Sequence, residues 1–271
     1  MDKRRLLIRF IPIAIAGLIV FFQYFSSEKM TNEAGRTARH ALNPQQEQAL
    51  GLQSYQQVLQ QSQIIDSGPQ YEMVKRVAQR LSAASGPAAN TFDWRVSLVD
   101  SPEVNAFCLP GGKIVVYTGI LPVSKSEAGL ATVMGHEMAH ATLRHGSERL
   151  LQQNATQTMM TGVRFSLGDM SYEQQRAIMG AIGAGAQYGI LLPFSREHES
   201  EADKMGLFYM ARAGYDPREA VTFWQRMAEA TARSRKPPEF MSTHPADATR
   251  IAQLERLLPQ AIAEYERDRP R

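Results

Sequence analysis

The sequence predicts an α+β chain, mainly helical, with a small β-sheet just ahead of a central helix and an apolar segment at its N-terminus. Three observations carry this. Apolar residues recur at helical spacing through most of the chain, period-two alternation is confined to residues 92–118, and residues 10–22 are almost unbroken apolar. The 271 residues suffice for one substantial domain with an accessory segment, or for two small ones. A hydrophobic share of 44% and a charged share of 21% suit a packed core rather than disorder. The net charge of +3 comes from scattered basic residues, so no nucleic-acid partner is implied; acidic lipid suits the excess equally well. Cys108 is the single cysteine, which excludes an internal disulfide and a Cys-rich metal site. On an apolar strand it reads as a small buried hydrophobe.

In chain order, Lys3, Arg4, Arg5 and Arg9 precede or edge the apolar run. Residues 6–25 are about the 20 needed to cross a bilayer, with Arg9 snorkelling toward the positive side. Ala14 and Ala16 form a small-residue pair inside the run, too early for a cleavage site, and no cysteine follows for lipoprotein processing. Residues 1–25 are therefore expected as an uncleaved single-pass anchor, basic end in the cytoplasm and the rest exported; a cleaved signal and a soluble protein are the alternative. Residues 26–43 are polar and aperiodic, which suggests a tether. Asn43 as cap and Pro44 at the first helical position open a helix to about residue 61. Tyr71, Val74, Val77 and Leu81 mark a second over 69–84. Phe92, Trp94, Val96 and Leu98 alternate with polar neighbours as in a half-buried strand, and residues 106–109 and 113–118 flank the turn Pro110-Gly111-Gly112 as a hairpin.

Ser124 and Glu127 suggest a capping box for the next helix, Leu130, Val133, Met134 and Leu143 its apolar positions, and Gly146 its stop. Helix continues to about residue 161. The Gly-, Ala- and Ile-rich segment 179–192 reads as a close-packed core helix in preference to a mobile lid. Further helices are expected over 196–213, stopped by Gly214, and from Asp216-Pro217-Arg218-Glu219 onward. A proline-bearing loop, 236–243, then leads to a last helix carrying Ile251, Leu254, Leu257, Leu258 and Ile262. The main domain is thus expected over 44–265, with a tail at 266–271.

The chemistry sits in His136-Glu137-Met138-Ala139-His140. At 3.6 residues per turn both imidazoles leave one helix face and can share a zinc ion, with Glu137 leaning toward its open position. A catalytic zinc needs a third protein ligand, and the acids Glu197, Glu199, Glu201 and Asp203 offer it. Glu199 and Asp203 share one face and Glu197 and Glu201 another, so periodicity does not choose between the pairs. His145 and His198 fall off the ligand face and are expected at the surface or in an outer layer, and His40 lies in the tether. A strand edge beside such a site can hold an extended peptide through main-chain hydrogen bonds.

The two histidines, together with Ser195-Arg196-Glu197-His198-Glu199-Ser200-Glu201-Ala202-Asp203, resemble the family-48 zinc metallopeptidases, the gluzincin group of HtpX-like and CAAX-prenyl-protease-like enzymes. The resemblance extends from about residue 43 to 262, through Asn105-Ala106-Phe107-Cys108-Leu109-Pro110-Gly111-Gly112 and through Thr243-His244-Pro245 with Arg250. Cys108 departs from the small apolar residue usual there. What the resemblance implies is a zincin-like fold, one zinc ion per chain held by His136, His140 and Glu199, and Asp203 supporting a ligand histidine from behind. It also implies Asn105, Ala106, Phe107, Gly111 and Gly112 along the substrate strand and turn. Glu137 would act as general base on the zinc-activated water. His244 would either hydrogen-bond the oxyanion or bind zinc as a fourth ligand, and Arg250 would hold the oxyanion or position His244. The nearest members in kind are exported, single-domain bacterial ones. The expectation is an endopeptidase of the bacterial inner membrane, its catalytic domain in the periplasm, that hydrolyses unfolded or misassembled envelope proteins. The alternative is a zinc-stabilised chaperone or assembly factor with latent proteolysis.

Overall fold

The computed structural model describes residues 3–187, 191–233, 238–244 and 248–267. The chain runs through α1 (Lys3–Ser26), β1 (Glu28–Thr31), β2 (Thr37–His40), α2 (Pro44–Gln61), β3 (Ile64–Ile65), α3 (Pro69–Ala84), β4 (Arg95–Val99), β5 (Ala106–Leu109) and β6 (Lys113–Tyr117). It continues through α4 (Leu121–Ser124), α5 (Glu127–Thr142), α6 (His145–Ser166), α7 (Tyr172–Ala186), α8 (Leu192–Arg212), α9 (Arg218–Arg233), α10 (Glu239–Thr243) and α11 (Ala248–Arg267). The mainly helical α+β architecture is the one expected. Pro245, residues 236–237, 188–190 and the end of the tail lie outside the described residues.

Two compact units form. The first holds residues 1–32, 36–43 and 145–197; the second holds 33–35, 44–144 and 198–271.

In the second unit a four-stranded sheet has the order β3-β4-β6-β5. β4 and β6 run parallel, Arg95 opposite Lys113, while β5 pairs antiparallel with β6, Ala106 opposite Val116. β5 is therefore the outer strand, and residues 100–105 carry the chain out to it. Leu98, Ala106, Ile114 and Val116 face the main core with α3 and α5. Val115 and Val99 face the other way, onto Tyr55 of α2, whose hydroxyl meets Ser97 Oγ at 2.5 Å. α5 is buried on nearly every face, as a helix apolar all round must be, and it forms the axis of this unit. Trp224, Phe223, Tyr209 and Phe240 pack around it with almost no exposure, each burial worth about 1.5–3 kcal/mol.

α5 and α8 cross where Gly135 meets Gly206. A Cβ on Gly206 would lie 2.7 Å from the His136 nitrogen, and one on Gly135 would lie 3.0 Å from the Gly206 carbonyl oxygen. Only hydrogen at both positions lets the backbones come this close.

The ends of α5 differ from expectation. Ser124 closes the one-turn α4, its hydroxyl on the Ile120 carbonyl at 3.0 Å, and Lys125 then turns left-handed at φ 61°. Ser126 is thereby the first extended residue, and its Oγ accepts from the Gly129 N–H at 3.0 Å as the true cap. At the far end Arg144, not Gly146, adopts the positive φ of 61°. Its buried guanidinium sits 3.1 Å from both Glu47 oxygens, and Gly146 continues into α6. Glu127 at the first helical position accepts from Arg76 Nε at 3.0 Å and from the Tyr215 hydroxyl at 3.2 Å, which holds its pKa below the usual carboxylate value.

In the first unit, β1 and β2 pair antiparallel with Glu28 opposite His40. The stretch expected as a tether therefore contains a hairpin. Its buried positions, Ala38 and His40, are too few to register as periodicity. The Leu42 and Ala41 N–H groups reach Ser147 in the first turn of α6, and Arg36 forks onto Glu148 at 2.7 and 2.8 Å. α7 starts with a Ser171–Gln174 capping box, yet none of its residues is buried and Tyr172 is 77% exposed. The expectation of a close-packed core helix is corrected here for the described part of that segment: its residues are half-buried or exposed, resting on α6 on one side, where Gly183 lies against Met160.

Replacing Gly206 by Ala is expected to destabilise the protein by about 1–3 kcal/mol in urea unfolding, because the new methyl meets fixed backbone. Helix propensity alone would favour Ala by about 1 kcal/mol, so the sign of the change reports the crossing directly. For Glu127→Gln, the depressed carboxylate pKa means its stabilisation is present above about pH 4.5 and is lost as pH falls through the folded value. The stability gap between wild type and variant should therefore close on acidification, read by thermal melts from pH 7 downward.

Candidate metal centre and active site

α5 places His136 and His140 one turn apart with their Nε2 atoms 3.1 Å from each other. The Gly135–Gly206 crossing brings α8 against that face, and Glu199 reaches both rings: Oε2 is 3.3 Å from His136 Nε2 and Oε1 is 3.2 Å from His140 Nε2. His244, just after α10, completes the group, with Nδ1 at 3.2 Å from His136 Nε2 and 2.9 Å from Glu199 Oε2. Two ring nitrogens this close repel through their lone pairs unless a proton or a cation lies between them. A tetrahedral zinc with donors about 2.0–2.1 Å away spaces those donors about 3.3 Å apart, so this His, His, Glu and His set fits one such ion. Glu197, by contrast, has a 53% exposed side chain 3.9 Å from Arg36, and Glu201 is outside the four-donor group.

Burial would raise the Glu199 pKa, but hydrogen bonds from His136, His140 and His244 outweigh it and hold the group as a carboxylate. Behind the ligands, His136 Nδ1 donates to Asp203 Oδ1 at 2.9 Å, leaving Nε2 pointing into the cluster. Burial and the Arg250 charge oppose protonation of His136, yet Asp203 and Glu199 raise its pKa on balance. Asp203, also buried, is held below the usual range by Arg250 and His136 despite its desolvation.

Arg250 is 5% exposed, and its Nη2 lies 2.6 Å from Asp203 Oδ1 while Nη1 lies 3.3 Å from Glu199 Oε2. Its guanidinium carbon stands 3.4 Å above the centre of the Trp224 ring. Trp224 in turn stacks on Phe240 at 5.8 Å, and Phe240 lies 4.8 Å from the His244 ring. Sequence reasoning missed Trp224 and Phe240. Trp224 belongs to the buried stripe Ala220, Phe223, Trp224 and Met227, which reads as ordinary core.

Glu137 is almost fully buried, 3.4 Å from His244 Nε2 and 4.0 Å from His136 Nε2. His244 caps the C-terminal end of α10, its N–H on the Phe240 carbonyl at 2.9 Å. His145 and His198 are not at the surface: they are 1% and 0% exposed, and neither joins the four-donor group.

β5 packs beside α5, and among the described residues no strand pairs with its outer edge. Asn105 leads into it, its Oδ1 accepting from the Ala106 N–H at 2.9 Å and its carbonyl from Tyr117. The preceding Val104 carbonyl accepts from the Phe240 N–H at 3.3 Å, which ties the start of the edge strand to the helix that carries His244. Ala106 points into the main core and Phe107 into the second cluster. Gly111 and Gly112 form the turn at the strand's far end, against Gln48 and Trp94. The Cys108 thiol is partly buried in the core, and burial together with the Glu137 charge pushes its pKa up, so it stays a thiol.

The model of peptidase family M48 matches residues 68–258, which include the histidine pair, the acids of α8 and Arg250. The mitochondrial metalloendopeptidase OMA1 of Schizosaccharomyces pombe is 39% identical over 193 residues, covering 71% of this chain and 54% of the relative. The human mitochondrial metalloendopeptidase OMA1 is 30% identical over 269 residues, covering 93% of this chain and 50% of its own. The beta-barrel assembly-enhancing protease of Escherichia coli O157:H7 is 29% identical over 224 residues, 81% of this chain and 45% of that protein. The chain thus spans about half the length of these relatives. The match across most of its length, together with the site at its centre, shows that this chain belongs to peptidase family M48, the zinc metallopeptidases.

Proposed function

We propose that this chain is a membrane-tethered, zinc-dependent endopeptidase that hydrolyses unfolded or misassembled cell-envelope proteins. The observation that carries the reading is the convergence of His136, His140, Glu199 and His244 at 2.9–3.3 Å spacing with Glu137 beside them. The name of the Escherichia coli relative, beta-barrel assembly-enhancing protease, supports misassembled proteins as clients. α1 supports the tether: Ile8–Ser26 is 19 residues long with a mean hydropathy of 1.9 and is only 6% buried. We read residues 1–25 as a bacterial inner-membrane anchor, 26–43 as the connection and 44–265 as the peptidase domain facing the periplasm, with the α6–α7 segment interrupting it and a tail over 266–271. Release of a soluble form by cleavage after the anchor is the alternative.

In this reading His136, His140 and Glu199 hold one zinc ion, which when bound polarises the scissile carbonyl and brings the pKa of water toward neutral. Glu137 takes the proton from the attacking water as oxygen bonds to the carbonyl carbon. It then delivers that proton to the amine as the carbon–nitrogen bond breaks. Asp203 fixes the His136 tautomer. Arg250 neutralises Asp203 and Glu199 from behind, and its contacts make it a positioning residue. An extended peptide lies along the outer edge of β5 through main-chain hydrogen bonds, with Asn105, Ala106 and Phe107 opposite it and the Gly111–Gly112 turn at the end.

His244, with Nδ1 inside the donor group, would hold the ion as a fourth ligand or would hydrogen-bond the developing oxyanion. A fourth protein donor in the group is also what favours the second reading, a zinc-stabilised chaperone or assembly factor whose proteolysis is latent.

For Glu137→Gln, cleavage of an unfolded protein such as casein should fall about 10²–10⁴-fold with zinc content unchanged. Wild-type protein that binds but never cleaves, equal to the variant, would support the chaperone reading instead. Glu199→Gln should strip zinc, measured by elemental analysis, whereas Glu201→Gln should retain it; the opposite result would move the ligand one register along α8. Trp224→Ala removes no ligand yet should weaken zinc affinity about 10–100-fold by loosening Arg250, Asp203 and the His136 ring that meets the indole edge-on, and Trp224→Phe should recover part of the loss.

A further inference from the structure

We infer that the C-terminal half of α6, together with α7, lies in the lipid bilayer beside α1, so that the chain meets the membrane through three helices instead of one. The inference rests on the reading of α1 as a membrane span.

The register of α1 on α6 carries it. Arg9 Nε donates to the Ser166 carbonyl at 2.9 Å, and Arg9 Nη2 pairs with Asp169 at 2.8 Å. Farther along α1, Ala16 and Pro12 press against Gly162, where an added Cβ would lie 2.6 Å from the Ala16 methyl. Farther still, Ile19 shares the wall of a groove of about 540 Å³ with Gln157 and Thr158. The two helices are therefore antiparallel, and α6 from Gln157 to Ser166 runs alongside residues 9–19 for about 15 Å, half of a hydrocarbon core. Whatever depth α1 reaches there, this half of α6 shares.

The side chains of α6 fit that depth. Gly162 and Ser166 are buried, and Gln157, Thr158, Thr161 and Phe165 line the groove beside α1, Phe165 being 73% exposed. Small residues make the closest contact, Gly162 against Ala16, which is how helices approach one another in lipid, and a phenyl ring is left largely uncovered beside it. Residues 150–163 carry no formal charge, and neither do 177–186. α7 continues the pattern: Gly183 lies against Met160 of α6, none of its residues is buried, and Ile182 is 39% exposed. The charges gather at one level, where Arg9, Arg164 in the last turn of α6, Asp169, Glu173 and Arg176 lie at or near the α6–α7 turn. That level suits lipid headgroups, and Asp169 gives Arg9 a partner where a lone anchor would leave it to snorkel.

The test uses the full chain with Cys108→Ala as background, reconstituted in phosphatidylethanolamine/phosphatidylglycerol vesicles. Single cysteines at Phe165→Cys, Ile182→Cys, Leu18→Cys and Gln70→Cys carry an environment-sensitive fluorophore. Nitroxide on the acyl chains is expected to quench the Phe165 and Ile182 labels as strongly as the Leu18 label and several-fold more than the Gln70 label. Quenching at Leu18 alone, with Phe165 and Ile182 open to an aqueous quencher, leaves the anchor and overturns the inference. Protection of Phe165 and Ile182 from both quenchers shows a protein partner or second copy on this face and also overturns it. Loss of acyl-chain quenching at Leu18 as well overturns the anchor reading itself and the inference with it.

Discussion

Two glycines that face each other, Gly135 on α5 and Gly206 on α8, set the distance on which the site depends. Without a Cβ on either side the helices touch at backbone range, so residues one turn from the crossing are forced together. His136 follows Gly135 directly, and Asp203 precedes Gly206 by three residues; their 2.9 Å contact is a product of that approach. Glu199, one further turn back on α8, then falls between His136 and His140. A wider crossing, such as side-chain packing normally gives at 8–10 Å between axes, would leave the carboxylate short of both rings. The donor spacing is thus inherited from packing in the core.

The same closeness concentrates charge in a place with little water. Asp203 is a buried carboxylate and Glu199 a half-buried one, and Arg250 is the guanidinium that lies against both. Trp224 supplies a flat aromatic face under it, which leaves the edge of the guanidinium free for oxygen while covering its plane. Truncating any one partner strands another charge in the interior, at a cost of about 3–5 kcal/mol. The α9 aromatic stripe therefore serves two ends, filling the core and seating a cation.

What was legible in the sequence was whatever a local pattern encodes. α3 begins and ends where its apolar spacing places it, α2 opens at the proline after Asn43, and the β5–β6 turn coincides with Pro110-Gly111-Gly112. That His136 and His140 share one face, close enough to hold a metal together, follows from helical geometry alone. The acids of α8 did not, because two equivalent faces were available and only the crossing with α5 selects one. The ends of α5 were misread because the competing one-turn α4 and the buried Arg144–Glu47 pair lie outside any local rule. The β1–β2 hairpin has too few buried positions to show periodicity. In α7, small residues suggest tight packing on all sides, whereas the helix rests on α6 along one side and none of its residues is buried.

An outer strand of four residues has one further implication. β5 offers a guest N–H and carbonyl groups in a row, with Ala106 and Phe107 turned into the protein's own interior. With a peptide bound as proposed, such a ledge would read the availability of a short unpaired backbone and would be nearly blind to side-chain identity. A client's own folding free energy would then be its protection, since a segment already committed to its native sheet or helix has no main-chain groups left to lend. Discrimination between sound and damaged proteins would need no recognition sequence, only a competition for hydrogen bonds.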